Sequence, residues 1–220
     1  MSSTCKAQFN IKVGYSIAFL SPDVNNQIIS DFNLAQSQNF DEFNNLSSLR
    51  VMHGVNIGLR QKFSFGSITL DWENISRSLT GSGINRLPLP ALPVSVPFEV
   101  NYTFNSIMVG LETEYGRLGL GSAIGKNFVA ISQETANGDN SSLLRLSDGP
   151  KDQFFARFHL AFNFSGSSTV AFSIRPYLQI PISKVALSAF ATELGVSRTE
   201  TDESYPMFGL TFAFFNGRQE

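Results

Sequence analysis

The fold is decided by residues 153–182, QFFARFHLAFNFSGSSTVAFSIRPYLQIPI. In the first half Phe154, Ala156, Phe158, Leu160, Phe162 and Phe164 alternate with Arg157, His159, Ala161 and Asn163. In the second half Val170, Phe172, Ile174, Pro176, Leu178, Ile180 and Ile182 alternate with Ala171, Ser173, Arg175, Tyr177 and Gln179. A period of two gives a strand with two unlike faces. Ser165-Gly166-Ser167-Ser168 between the halves makes the pair a hairpin. At roughly 10–13 residues each, the strands exceed the usual ~5–6 of a globular sheet and match the ~9–11 that a tilted strand needs to cross a bilayer. The hairpin therefore reads as two staves of a transmembrane β-barrel, apolar rows toward lipid.

Working outward, Phe9–Leu20 is a first strand, Leu49–Phe63 a second, and a third carries Ile68, Leu70 and Trp72 outward with Thr69, Asp71 and Glu73 inward. Phe98–Leu111 is a fourth, in which Phe98, Val100, Tyr102 and Phe104 share one face. Ile107, Val109 and Leu111 continue that face only if a residue is skipped near Asn105-Ser106, which predicts a bulge. Leu118–Ile124 is a fifth strand, and Tyr205–Phe215 closes the set as an eighth. Connections at Ser64–Ser67, Glu112–Arg117 and Ser165–Ser168 are short; those at Ser21–Ser48, Ile75–Pro97, Lys126–Asp152 and Ser183–Ser204 are long. The first long loop is expected to hold a short helix from the capping box Asn39–Glu42, with Phe40, Phe43 and Leu46 at helical spacing. Leu87–Pro93 in the second is expected to be polyproline-like, and Asn137–Asn140 in the third to turn. In the fourth, Val185–Leu194 reads equally as a short helix ending at Gly195 or as more of the seventh strand. An even strand count with alternating long and short connections is the pattern of short periplasmic turns and long extracellular loops. The expected class is all-β, an eight-stranded antiparallel up-and-down transmembrane β-barrel, with residues 8–220 as one domain.

Composition agrees. Charged residues are 15% and Phe occurs 21 times, yet mean hydropathy is −0.00, as it must be when lipid-facing and lumen-facing rows cancel. Net charge is −2 and the basic residues are scattered, so no nucleic-acid partner is expected. The single cysteine, Cys5, excludes an intrachain disulfide. Cys5 and Ala7 stand at the −3 and −1 positions of a signal-peptidase site before Gln8, and Met1–Ala7 reads as the tail of a secretory signal.

Alternation alone does not say which face is inside. A soluble cup would have to fill its lumen with the Phe rows, too much volume for eight strands. The opposite rows mix Gly14, Gly54, Gly58, Gly119, Gly121 and Ala161 with charged side chains, which suits a tight polar interior. The inward rows then gather Lys12, Arg50, Arg60, Lys62, Arg117, Arg157, His159 and Arg175 with Asp71, Glu73, Glu112 and Glu114. Unpaired burial of such groups is costly, so the expected site is a lumen charge network. It reads first as a structural plug and second as a narrow ion path.

Three stretches carry a resemblance: Lys6-Ala7-Gln8 running into Phe9–Gly14, Arg175–Pro181, and the closing Phe208–Phe215. On these the chain resembles the small outer-membrane β-barrel proteins of Bacteroidota-type bacteria, related in architecture to the eight-stranded OmpA and OmpX barrels. The resemblance implies fold and a bacterial outer-membrane location, and it carries no catalytic residue.

Chemistry is not expected. His53 is the polar group in the outward row of the second strand, but Val51 and Val55 stand where a barrel lipid A deacylase would pair its His with a Ser. Gly119-Leu120-Gly121 belongs to a strand with small inward residues and is no phosphate loop. No cofactor or metal is expected. Expected partners are outer-membrane lipid and lipopolysaccharide, and other surface proteins met through the loops. Function is expected to be envelope structure, adhesion or docking, with a narrow pore or small-molecule transport element as the alternative.

Overall fold

The computed structural model describes residues 8–63, 66–85, 94–135, 152–165 and 170–216. The expectations for the signal remnant, the polyproline stretch 87–93 and the turn 137–140 fall outside them. In chain order the elements are β1 (Gln8–Leu20), α1 (Asp23–Ser37), β2 (Glu42–Asn44), β3 (Val51–Phe63), β4 (Gly66–Asn85), β5 (Val94–Tyr115) and β6 (Leu118–Thr135). There follow β7 (Asp152–Ser165), β8 (Val170–Pro181), β9 (Val185–Ala186), α2 (Ser188–Glu193), β10 (Asp202–Glu203) and β11 (Met207–Asn216). Eight of the strands form one antiparallel ring, β1-β3-β4-β5-β6-β7-β8-β11, closed by the pairing of β11 back onto β1. All short turns lie at one end and all long connections at the other.

The seam pairs Lys12 with Phe215 and Leu20 with Met207, so the first and last staves hold each other. The β5–β6 turn is two residues, with Gly116 at φ 60°, a left-handed position that favours glycine. The β7–β8 ladder keeps one register but is interrupted between His159↔Tyr177 and Phe162↔Ile174. Pro176 lies in that gap and has no N–H to donate.

Three strands run far beyond their expected ends. Residues 75–97, read as a loop, contain the upper parts of β4 and β5, paired from Ile75↔Phe104 to Asn85↔Val94; β6 likewise continues past Ile124 to Thr135. The bulge expected at Asn105-Ser106 is absent, because Ser106 pairs with Glu73, Asn105 with Asn74 and Phe104 with Ile75 in unbroken register. What changes there is the surroundings. On β4 the outward residues pass from Ile68, Leu70 and Trp72 to Asn74, Ser76, Ser78 and Thr80, while the inward ones pass from Asp71 and Glu73 to Ile75 and Leu79. On β5 the inward row changes from Glu112, Gly110, Met108 and Ser106 to Phe104, Tyr102, Val100 and Phe98. On β6 Asn127 gives way to Val129 and Ile131. The molecule thus has two levels: near the turns it is apolar outside and polar inside, and toward the loops, along β4, β5 and β6, the reverse.

The upper level has its own hydrophobic core, in which Ile28, Ile29 and Phe32 of α1 and Phe190 of α2 pack on Phe98, Tyr102 and Phe104. Sequence reading missed α1 and placed a short helix from the Asn39–Glu42 capping box through Leu46 instead, where the chain bends, forms β2 and continues without helix. Val24, Ile28 and Phe32 hold the helical spacing, but the Asn and Ser between them gave the segment the composition of a loop. Those amides have a structural use. Asn26 Nδ2 donates to Leu49 O (3.2 Å) and its Oδ1 accepts from Leu49 N (2.8 Å); Asn33 does the same with Leu46 (2.9 and 2.9 Å). Seven helical residues and three extended ones both span about 10 Å, so the helix pairs with the segment as a strand would. The fourth long connection resolves as a helix: Gly195 (φ 69°) ends α2 in a Schellman motif, with Gly195 N to Thr192 O (2.9 Å) and Val196 N to Ala191 O (2.8 Å).

Phe104→Ala is expected to cost about 3–5 kcal/mol, the usual penalty for emptying an aromatic core position. Thr103→Ala, its outward neighbour, should stay within about 0.5 kcal/mol. Equilibrium unfolding of the detergent-folded barrel measures both, and equal losses would contradict the two-level interior.

Candidate functional site

The lower interior is filled by charged side chains from six staves, all on inward positions. Arg157 on β7 reaches across to Glu73 on β4 with two hydrogen bonds (Nη2–Oε1 2.6 Å, Nη1–Oε2 3.1 Å). Gln179 Oε1 on β8 accepts from the same guanidinium (Nη2 2.7 Å, Nε 3.1 Å), Ser16 Oγ donates to Glu73 Oε2 (2.7 Å), and Arg157 stacks on the Tyr177 ring at 4.2 Å. Glu112 on β5 is a second centre: Arg175 holds it through Nη1 (2.9 Å) and Nη2 (3.2 Å), His159 Nε2 lies 3.1 Å from its Oε2, and Arg60 Nη2 lies 3.2 Å from Oε1. Arg60 also pairs with Glu114, which Lys62 Nζ meets at 2.8 Å. Lys12 Nζ and Asp71 Oδ1 are 2.5 Å apart. Paired bidentate arginines are the arrangement in which buried carboxylates keep their hydrogen-bond partners.

Small residues make the room. A Cβ on Gly58 would run into Asp71 and Lys12, one on Gly121 into the His159 ring, and one on Gly209 into the Tyr177 ring. Between the ion pairs and the apolar upper core lies an uncharged polar layer, with Ser106 Oγ donating to Asn127 Oδ1 (2.6 Å) and Gln153 Nε2 to Ser183 O (3.1 Å).

The structure brings together Lys12, Arg60, Lys62, Asp71, Glu73, Arg157, His159 and Arg175, with Glu112 and Glu114. Arg50 and Arg117 do not belong with them. Arg50 is exposed just before β3, where its carbonyl accepts from Leu20 N at the loop end (2.9 Å), and Arg117 is exposed in the β5–β6 turn. Period-two counting carried past the ends of the strands put both inside. Sequence reading did not include Ser16, Gln179 and Tyr177, although each shares the inward parity of its charged neighbours. His53 faces outward as expected, bonded through Nδ1 to Tyr15 OH (2.7 Å) and opposite Ile17 and Ser76 in register.

Above the interior, the first and last long connections clasp each other. Glu203 of β10 accepts from Asn25 N through Oε2 (2.8 Å) and from Ser204 N through Oε1 (2.8 Å). It thereby caps the start of α1, whose own N-cap, Pro22, offers no side-chain acceptor. Burial pushes the Glu203 carboxyl above the ordinary carboxylate range, against the downward pull of its backbone N–H donors. Arg198 Nη1 pairs with Asp31 Oδ2 (2.6 Å), and its Nη2 donates to Gln27.

No protein-family model matches the chain, and no curated protein matches it. Solved structures similar in architecture include the following two. The first is Ail, the attachment invasion locus protein of Yersinia pestis, in complex with the heparin analogue sucrose octasulfate, at 8% identity and TM-score 0.48, covering 95% of this chain and 98% of that one. The second is Neisserial surface protein A, at 8% identity and TM-score 0.47, covering 96% and 99%.

Arg157→Ala leaves Glu73 buried with its Ser16 contact, and is expected to destabilise by about 3–5 kcal/mol. The double substitution Arg157→Met with Glu73→Leu removes both charges and should recover most of that loss in the same unfolding assay. Glu203→Ala should cost about 1 kcal/mol at the start of α1. Hydrogen exchange would detect this as faster exchange at the α1 amides with the barrel amides unchanged.

Proposed function

We propose that this protein is a bacterial outer-membrane β-barrel serving the envelope without catalysis, its lower level spanning the bilayer and its capped loop end presented for adhesion or docking. The wall supports the location. A closed ring whose outward residues are Ile11, Val13, Ile57, Leu70, Val109, Leu120, Phe158 and Leu178, all at least 40% exposed, leaves no backbone edge in lipid and suits hydrocarbon. A soluble cup would carry such rows inside at that level, where this chain has ion pairs.

The observation that carries the reading is the filled interior. The cavity bounded by Lys12, Asp71, Arg157, His159, Arg175 and Tyr177 has about 30 Å³, enough for a water or two. The apolar core closes the loop end above it. A transport element needs a continuous route, so the charges act as a brace.

In planar bilayers the purified protein is expected to give no sustained conductance, and Arg157→Ala to lower stability instead of altering selectivity. Steady wild-type channels whose ion selectivity reverses on charge swaps at Arg157 and Arg175 would replace the brace with a pore. Recovery of the protein in a fraction other than the outer membrane would overturn the location.

A further inference from the structure

Above the apolar band β4, β5 and β6 continue beyond the other staves as a tall wall, joined at the top of β4 by β2, and the outward face of this wall is unusual. Along β4 it presents Asn74, Ser76, Ser78 and Thr80, and along β5 Asn105, Thr103, Asn101 and Glu99. Ala130 and Ser132 of β6 complete the rows Ser76–Thr103–Ala130 and Ser78–Asn101–Ser132. The face is exposed or half-exposed throughout. Some of its groups already bond sideways, with Asn74 Nδ2 to Asn105 Oδ1 and Ser78 Oγ to Glu99 Oε1, both 2.6 Å. Glu99 is the one charge among these residues, with Glu134 opposite it in register at the upper end of β6; Arg77, though exposed, has the opposite parity. A protein surface facing bulk water is usually about 25–35% Lys, Arg, Glu and Asp.

We propose, building on the membrane reading above, that this face is a docking surface for the sugar headgroups of outer-leaflet glycolipids. The wall rises directly from the apolar rows Ile68, Leu70, Trp72 and Ile107, Val109, Leu111, so whatever stands on the hydrocarbon beside them lies against it. Hydroxyl and amide side chains exchange water for sugar hydroxyls with no loss of ionic hydration, whereas charges buried under a sugar layer would lose theirs. A phosphate layer would call for free cations. The lysine at the rim, Lys126, is flanked by Phe128 (5.0 Å) and Phe154 (5.6 Å) and already paired with Asp152 at 2.5 Å.

The test is the urea unfolding midpoint of the full chain in four kinds of vesicle. These are phosphatidylethanolamine alone, and the same with lipopolysaccharide, with digalactosyldiacylglycerol (sugar, no phosphate) or with phosphatidic acid (phosphate, no sugar). The expected result is a higher midpoint with both sugar-bearing lipids and none with phosphatidic acid. Asn101→Glu and Thr103→Glu should abolish that increment while leaving the phosphatidylethanolamine midpoint unchanged, and Ser47→Glu, in the cap, should preserve it. Insertion with equal midpoints in all four vesicles, an increment with phosphatidic acid alone, or an increment that survives both wall variants would overturn this proposal and leave the membrane reading standing. Failure to insert into any vesicle would overturn both.

Discussion

Closure of the hydrogen-bonded ring is the constraint from which the rest follows. Each stave has a partner on both sides, so no edge is left open at the level of the ring. Eight strands fix the diameter, and the diameter fixes how much side chain the interior holds. The inward glycines follow from this: Gly58, Gly121 and Gly209 each lie under a large polar neighbour and would collide with it if they carried a Cβ. A crowded interior in turn decides which charges can live there, since every carboxylate must find its cation within one side-chain length. Glu73 and Glu112 are met from across the lumen by arginines, the longest cationic side chains available: Arg157 on the first and Arg175 on the second.

Much of this was legible in the sequence and some was misread. The staves near the turns announce themselves because lipid-like outside and polar inside make the largest possible contrast at period two. The same contrast persists on upper β4, β5 and β6, but with the parity of the apolar residues exchanged. On β5 that exchange looked like a skipped residue, and on β4, where Ser76 and Ser78 interrupt the apolar pattern, like the start of a loop. Period two reports that a strand has two faces; it does not report which medium each face meets. The charge network could be drawn from parity alone, except where parity was extended past a strand end to Arg50 and Arg117. Helix α1 was hidden because its Asn residues serve as backbone substitutes, a role that composition registers as loop.

The two levels also divide the stabilising forces. In the lower level direction matters, since ion pairs and cation–π stacking fix each side chain against particular partners such as Tyr177 and Phe215. In the upper level shape matters, with Phe32, Phe40, Phe43 and Phe98 packed largely edge to face. The amide layer of Ser106, Asn127 and Gln153 separates the two, so neither core has to accommodate the chemistry of the other.

The clasp between α1 and the segment around Glu203 has a consequence for the order of assembly. Its two halves are 178 residues apart at Asn25 and Glu203, and 167 apart at Asp31 and Arg198. The first half therefore waits for nearly the whole chain to be made before it can dock. A chain stalled short of β11 lacks the seam strand and, with it, the anchor that holds the last connection over the mouth. Ile28, Ile29 and Phe32 then have no finished core to enter, and an incomplete molecule carries an apolar flag at its surface. The cap is in this sense a receipt for completed synthesis, legible to any chaperone or protease that recognises exposed hydrocarbon.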